Sequence, residues 1–187
     1  MKINVYDFDN TIYDGDSTVD FWKYCVRKYP VVLLPFPLAC AAGFCCLLGL
    51  CSKTRFKEIF YRFFRYVPNI NGEVARFWDN NFKKIRPWYL AQNKMDDLII
   101  SASPEFLLSF PCERMGVRLI ASRVDSRTGK ALGGNCKGME KVRRFRAEYP
   151  EATIEEFYSD SLSDSPLSEL AERAYLIKSG IIKKWSI

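Results

Sequence analysis

The 187-residue sequence contains no histidine. That absence excludes Ser-His-Asp and Cys-His catalysis and every histidine-ligated metal site. Seven cysteines are present, but no two have metal-ligand spacing, and Cys40, Cys45, Cys46 and Cys51 fall inside one apolar run. They read as small hydrophobes of a reducing cytosol rather than a disulfide framework. No secretory signal precedes the first apolar segment, so a cytoplasmic N-terminus is expected. Internal repeats and low-complexity linkers are also lacking. Any catalysis must therefore come from carboxylates, Lys, Ser or Cys.

What is present is enough apolar material, 48% hydrophobic with 15% aromatic, to bury a core as one domain or as one domain with an insertion. The net charge of +6 is unevenly spread. Residues 1–20 hold five Asp and one Lys, residues 21–97 hold thirteen Lys or Arg against five acids, and the remainder is nearly balanced. A basic middle segment suits anionic lipid headgroups, with nucleic acid the less expected partner.

The ends of the chain read as α/β. Ile3 and Val5 alternate in a first strand, 97–101 is a short apolar run of the buried parallel kind, and 117–124 and 153–159 read as further strands. Asp125 to Lys130 reads as a hairpin turn, 138–149 as a helix, Ser165-Pro166 as another helix start, and 174–177 as a last strand. Ser103-Pro104-Glu105 predicts an N-cap with Pro at the first helical position. Strands alternating with helices predict a doubly wound, Rossmann-like parallel sheet whose site lies at the carboxyl ends of the strands.

On that architecture three polar clusters fall at strand ends: Asp7 with Asp9, Ser101, and Asp160 with Asp164. Four converging acids repel one another unless a divalent cation sits among them, and hard oxygen ligands suit Mg2+. The segment opening the 138–149 helix supplies a nearby cation, either Lys137 or Lys141.

The ordered set Asp7-Phe8-Asp9-Asn10-Thr11, Ile100-Ser101-Ala102-Ser103, a Lys opening a helix, and Ser159-Asp160 followed by Asp164 resembles the haloacid dehalogenase superfamily phosphatases. The likeness is to the branch of phosphoserine phosphatases and phosphatidylglycerophosphatase-like enzymes, and it covers residues 1–20 and about 94–180. It implies a catalytic core of 1–14 and 94–187 interrupted by a helical cap at 15–93. It further implies Asp7 as the nucleophile that forms an aspartyl-phosphate and Asp9 as the general acid and base. Ser101, Lys141 (or Lys137) and the loop residues Asn10 and Thr11 would surround the phosphate, with Thr11 bracing the loop rather than reacting. Mg2+ would be held by Asp7, the Asp9 carbonyl, Asp160 and Asp164. The pattern of Lys141, with an apolar residue one helical turn later, resembles the family's more closely than that of Lys137.

The cap departs from the phosphoserine enzymes. Asp16 falls where they carry a Glu that grips the substrate ammonium, and Phe60 where they carry an Arg for the substrate carboxylate, with Arg62 and Arg65 close by. Residues 31–51 are uncharged, flanked by Arg27, Lys28, Lys53 and Arg55. That length reaches the range of a transmembrane segment. One crossing would leave Asp7 and Ser101 on opposite sides of a bilayer, so an interfacial element, a buried cap core and a dimer contact remain. Residues 54–67 repeat Phe56, Ile59, Phe60, Phe63, Phe64 and Val67 at helical spacing between basic residues, which fits either an internal amphipathic helix or an interfacial one. The expectation is a Mg2+-dependent phosphomonoester hydrolase, peripheral on an anionic membrane and acting on a lipid-linked phosphate. The alternatives are a soluble small-metabolite phosphatase and a binding module with an inactive core.

Overall fold

A computed structural model describes residues 1–185. Six strands form one sheet in the order β3-β2-β1-β4-β5-β6, where β1 is Lys2–Tyr6, β2 Leu98–Pro104, β3 Arg118–Ser122, β4 Thr153–Ser159, β5 Ala171–Lys178 and β6 Ile181–Lys184. The first five run parallel, and β6 returns antiparallel on β5. The chain leaves β1 toward β2 on one side and reaches β4 on the other, so β1 marks the switch point where a crevice opens beyond the strand ends. Val5 and Tyr6 are buried between Leu98 and Ile99 on one flank and Phe157 and Tyr158 on the other. This is why the core strands carry near-continuous apolar runs.

Two expected boundaries differ. β2 runs on to Pro104, so Ser103 is not a helix cap; Pro104 occupies that position in extended conformation, and the following helix starts at Glu105. The last strand is longer than 174–177 and is followed by β6, whose Lys183 and Lys184 obscure its alternation in the sequence.

Between β1 and β2 the chain is helical: α1 Ser17–Lys28, α2 Phe36–Leu47, α3 Lys53–Phe60, α4 Ile70–Asn81 and α5 Pro87–Gln92, joined by 3-10 turns. Helices α6 (Glu105–Met115), α7 (Met139–Glu148) and α8 (Ser165–Ser168) follow later strands. Asp16 caps α1 by accepting from the Val19 amide at 2.9 Å. The insertion is not a separate lobe. Phe21 of α1, Phe77 and Trp78 of α4, Phe8 of the loop after β1, and Leu107 of α6 belong to one buried apolar cluster. The Trp78 indole N–H donates to the Leu107 carbonyl at 2.6 Å. Buried Glu73 of α4 accepts from Tyr24, Lys28, Tyr29 and Arg76. Burial alone would raise its carboxyl, but these donors outweigh it and hold it at about 2.

The amphipathic stretch 54–67 breaks at Tyr61 into a 3-10 turn, Tyr61–Tyr66, that buries Tyr61, Phe63 and Phe64. Its apolar side faces the protein rather than a lipid surface. The hairpin at 125–130 clasps this turn. Arg65 Nε donates to the Thr128 carbonyl at 3.3 Å, and the Ala131 amide donates to Glu58 at 3.2 Å. A Cβ on Gly129, whose φ is +73°, would sit 2.3 Å from the Tyr61 carbonyl oxygen, whereas Gly49, at φ +74°, faces open space. Gly129→Ala is expected to cost about 1–3 kcal/mol of unfolding free energy. Gly49→Ala carries only the left-handed backbone penalty, so denaturant titrations of the two variants isolate the hairpin–cap contact. Equal losses would show that the contact contributes nothing.

Candidate active site

The loop after β1 turns sharply because the Thr11, Ile12 and Tyr13 amides all point to the Phe8 carbonyl, and Asn10 takes a left-handed φ of 57°. Asparagine tolerates that region better than most residues. The turn leaves Asp7 and Asp9 beside one crevice. The crevice is lined by Asp7, Asp9, Asn10, Asp16, Lys57, Ser101, Ala102, Ser103, Lys137, Lys141, Asp160, Ser161, Ser163 and Asp164, and it holds about 270 Å³. Most of the residues singled out in the sequence thus meet at one place. Thr11 stands behind the crevice, fully buried, with its hydroxyl accepting from the Asp160 amide at 2.9 Å. Arg62 and Arg65 do not line the crevice.

Between the two candidate lysines the geometry is decisive. Lys141 is buried, and its Nζ lies 2.6 Å from Asp7 Oδ1 and 2.7 Å from Asp164 Oδ2. Lys137 lines the same crevice without an ion pair among the described residues. Asp164 also accepts from the Ser159 hydroxyl at 2.9 Å, so its carboxylate serves the crevice and does not cap α8.

The electrostatics follow from burial and from the excess of acids. Burial pushes the Asp7 carboxyl up to about 7; Asp164 and Asp9 push the same way, against the Lys141 ammonium. Burial would also strip Lys141 of its proton, but two adjacent carboxylates outweigh that and hold it above its ordinary value. The pair is asymmetric because Lys141 faces two anions while Asp7 shares one cation with Asp164. Asp9 is raised to about 6, first by burial and then by the Asp16 charge. The Ser103 hydroxyl and the Ser17 amide, the latter at 2.7 Å, donate to Asp9 and limit that rise. Asp160 is raised by burial and by Asp164.

Among the described residues no group of three Asp, Glu or Cys side chains is drawn together closely enough to hold a metal ion. Carboxylate oxygens are nonetheless the donors a hard cation takes, and several line this crevice. Asp7 and Asp160 face it with Asp164 beside them, and Lys141 alone compensates Asp7 and Asp164 by direct pairing.

Residues 5–169 match the family model for haloacid dehalogenase-like hydrolases. The chain belongs to that family. Among solved structures it is similar to a protein of unknown function from Bordetella pertussis Tohama I, with a TM-score of 0.73, 18% identity, and 92% of this chain and 88% of that one covered. A phosphoserine phosphohydrolase-like protein from Francisella tularensis subsp. tularensis SCHU S4 follows at 0.62, with 14% identity and 93% and 86% covered. A phosphoserine phosphatase holding a phospho-aspartyl intermediate analogue aligns at 0.53, with 13% identity and 92% and 84% covered. No curated protein matches the sequence. At these identities the structures share the Rossmann-like fold of this hydrolase.

Sequence reasoning missed two residues of the site. Ser103 reads as a cap, yet its hydroxyl reaches Asp9; its spacing of two from Ser101 on a continuing strand was the available signal. Lys57 had no signal, because it is one of a row of basic residues and only the fold turns it inward.

The raised carboxyls set a pH signature. Asp7 and Asp9 hold protons to higher pH folded than unfolded, so the folded chain binds more protons from about pH 4 to 7. Their contribution to metal-free stability therefore falls as pH rises through that window. A cation competes for these oxygens only after they deprotonate. The gain in Tm on adding Mg2+ is expected to be small near pH 5 and to grow toward pH 7.5. An equal gain at both values would contradict a carboxylate cation site.

Proposed function

We propose that the protein is a Mg2+-dependent phosphomonoester hydrolase working through an aspartyl-phosphate on Asp7. The observation that carries this reading is the Lys141 ammonium held between Asp7 and Asp164, with Asp9 separately fixed by Ser103 and Ser17. Lys141 opposes the burial that raises Asp7, and a bound cation would add to it, giving the carboxylate that attacks phosphorus and splits one hard hydrolysis into two displacements. Asp9, raised by burial and by Asp16, gives its proton to the leaving alcohol and then takes one from the water that cleaves the intermediate. The Ser101 hydroxyl and the third N–H of Lys141 bind phosphoryl oxygens, and the Ser103 amide holds the Ser101 oxygen at 3.1 Å. Mg2+, bound by Asp7, the Asp9 carbonyl and Asp160 with Asp164 alongside, would supply the charge that lets two anions approach. The solved phosphoserine phosphatase with a phospho-aspartyl intermediate analogue is in keeping with this reading.

A finer reading, that the substrate is a phosphate presented at an anionic lipid surface, rests on the cap. The buried side of α2 is made of Ala39 and Ala42, with Gly43 against the Phe56 ring of α3, whereas Leu34, Leu38, Phe44, Leu47, Leu48 and Leu50 are exposed. Leu47 is 87% exposed. Only 17% of the apolar segment Pro30–Leu47 is buried, which removes the buried-cap-core alternative. Exposed apolar side chains in this number on one segment mark an interaction site. Its surroundings are basic: between Asp20 and Glu58 the chain has six Lys or Arg and no acid. Helix α2 is about 18 Å long, against a hydrocarbon core of about 30 Å. Because β1 and β2 pair directly, both ends of the insertion stay on one side of any bilayer, which rules out a single crossing. Anionic lipid is the occupant this charge pattern favours. The resulting place of action is peripheral, on the cytoplasmic side.

Two outcomes test these readings. Asp7→Asn should abolish hydrolysis of every phosphomonoester the protein cleaves in a chain that still folds, because Lys141 keeps Asp164 as its counter-ion; wild-type turnover in that variant would refute the nucleophile. Leu47→Glu with Leu50→Glu should release the protein from vesicles containing anionic lipid without changing its kcat on a small soluble ester. Protein that ignores such vesicles at low salt, as judged by co-sedimentation, removes the lipid reading and leaves soluble phosphates.

A further inference from the structure

The crevice holds two lysines, Lys57 and Lys137, that are not paired with its acids. Lys141 is committed to Asp7 and Asp164. Lys57, brought in by α3, is half-buried at the cap side of the crevice, where its Nζ donates to the Ala102 carbonyl at 2.8 Å and to Asn135 Oδ1 at 3.2 Å. Both acceptors are neutral, an ammonium has three donors, and Lys57 has no ion pair among the described residues. The acceptors are themselves fixed: the Ser122 hydroxyl donates to the Ala102 carbonyl at 3.0 Å and holds the Cys136 amide at 2.9 Å. Burial and nearby Lys137 pull the Lys57 ammonium below its ordinary value, against the attraction of Asp9 and Asp16. Two neutral acceptors leave this half-buried ammonium one donor and its full charge to offer an anion arriving with the substrate.

Building on the phosphatase reading above, we propose that Lys57, with Lys137 across the crevice, binds a second anionic group on the leaving alcohol and selects phosphomonoesters that carry one. The group is a carboxylate or a phosphodiester, since both offer oxygens to an ammonium. Lys57 therefore acts on specificity, at the end of the substrate away from phosphorus.

Glycerol 3-phosphate and 3-phosphoglycerate test this, because they differ by a hydroxymethyl in place of a carboxylate; deacylated phosphatidylglycerophosphate supplies the phosphodiester arm. Affinities are measured by calorimetry on Mg2+-loaded Asp7→Asn protein, so that the outcome does not depend on turnover, and kcat/KM is measured on the wild type. At least one doubly anionic ester should be preferred over glycerol 3-phosphate by roughly ten- to hundredfold, as for a hydrogen bond between charged groups. Lys57→Gln should collapse that preference and Lys57→Arg should restore part of it, while Lys137→Gln, which removes no ion pair among the described residues, should lower it in a chain that still folds. Which arm shows the preference identifies the anion. Equal affinities for all three esters, or an equal loss for all three in both Gln variants, would overturn the proposal. Binding preference without hydrolysis by the wild type would instead overturn the phosphatase reading and leave the Lys57 site standing.

Discussion

The ammonium of Lys141, buried between Asp7 and Asp164, is the contact on which the rest of the site depends. It joins the end of β1, the start of α7 and the turn after β4, three segments far apart in the sequence. Removing either partner of a buried pair leaves a charge that costs several kcal/mol. Lys141 therefore fixes both the protonation of Asp7 and the position of the α7 start. The geometry of that start, with Gly138 at a φ of 57° one turn before Lys141, follows from the same demand. Asp9 is held by a different set of donors, Ser103 and Ser17, although its charge still raises Asp7.

The insertion between β1 and β2 is joined to the core by packing rather than by a hinge. Trp78, Phe77 and Phe21 share a cluster with Phe8, the residue between the two crevice acids, so α1 and α4 are fixed relative to the site. Only the α2–α3 hairpin projects, and it has two unlike ends. α3 delivers Lys57 into the crevice and is clasped by the 125–130 hairpin, while α2 presents leucines to the outside. A surface that receives the apolar face of α2 and a substrate that receives Lys57 would thus be read by one structural unit, which links location to specificity without a moving part.

Sequence alone determined the class of chemistry. With no His, and with acids at two strand ends and Ser101 at a third, carboxylate, Lys, Ser or Cys chemistry was open, and the spacing of Asp7, Asp9, Ser101, Asp160 and Asp164 sufficed to place them at the carboxyl edge of a parallel sheet. Strand alternation and turn residues are local signals, and they were legible for β1 through β5. The structure decided what depends on contacts between distant residues. It brought Lys141 rather than Lys137 onto Asp7, because only Lys141 stands on the buried side of α7. It turned Ser103 from a helix cap into a partner of Asp9, because β2 continues past Ser101. It sent the aromatic face of 61–66 inward and the leucines of α2 outward, a choice between two apolar faces that periodicity cannot make. Lys57 became a site residue in the same way: a lysine in a basic row carries no mark of where its side chain ends, and only the placement of α3 beside the end of β2, where Lys57 reaches the Ala102 carbonyl, puts it there.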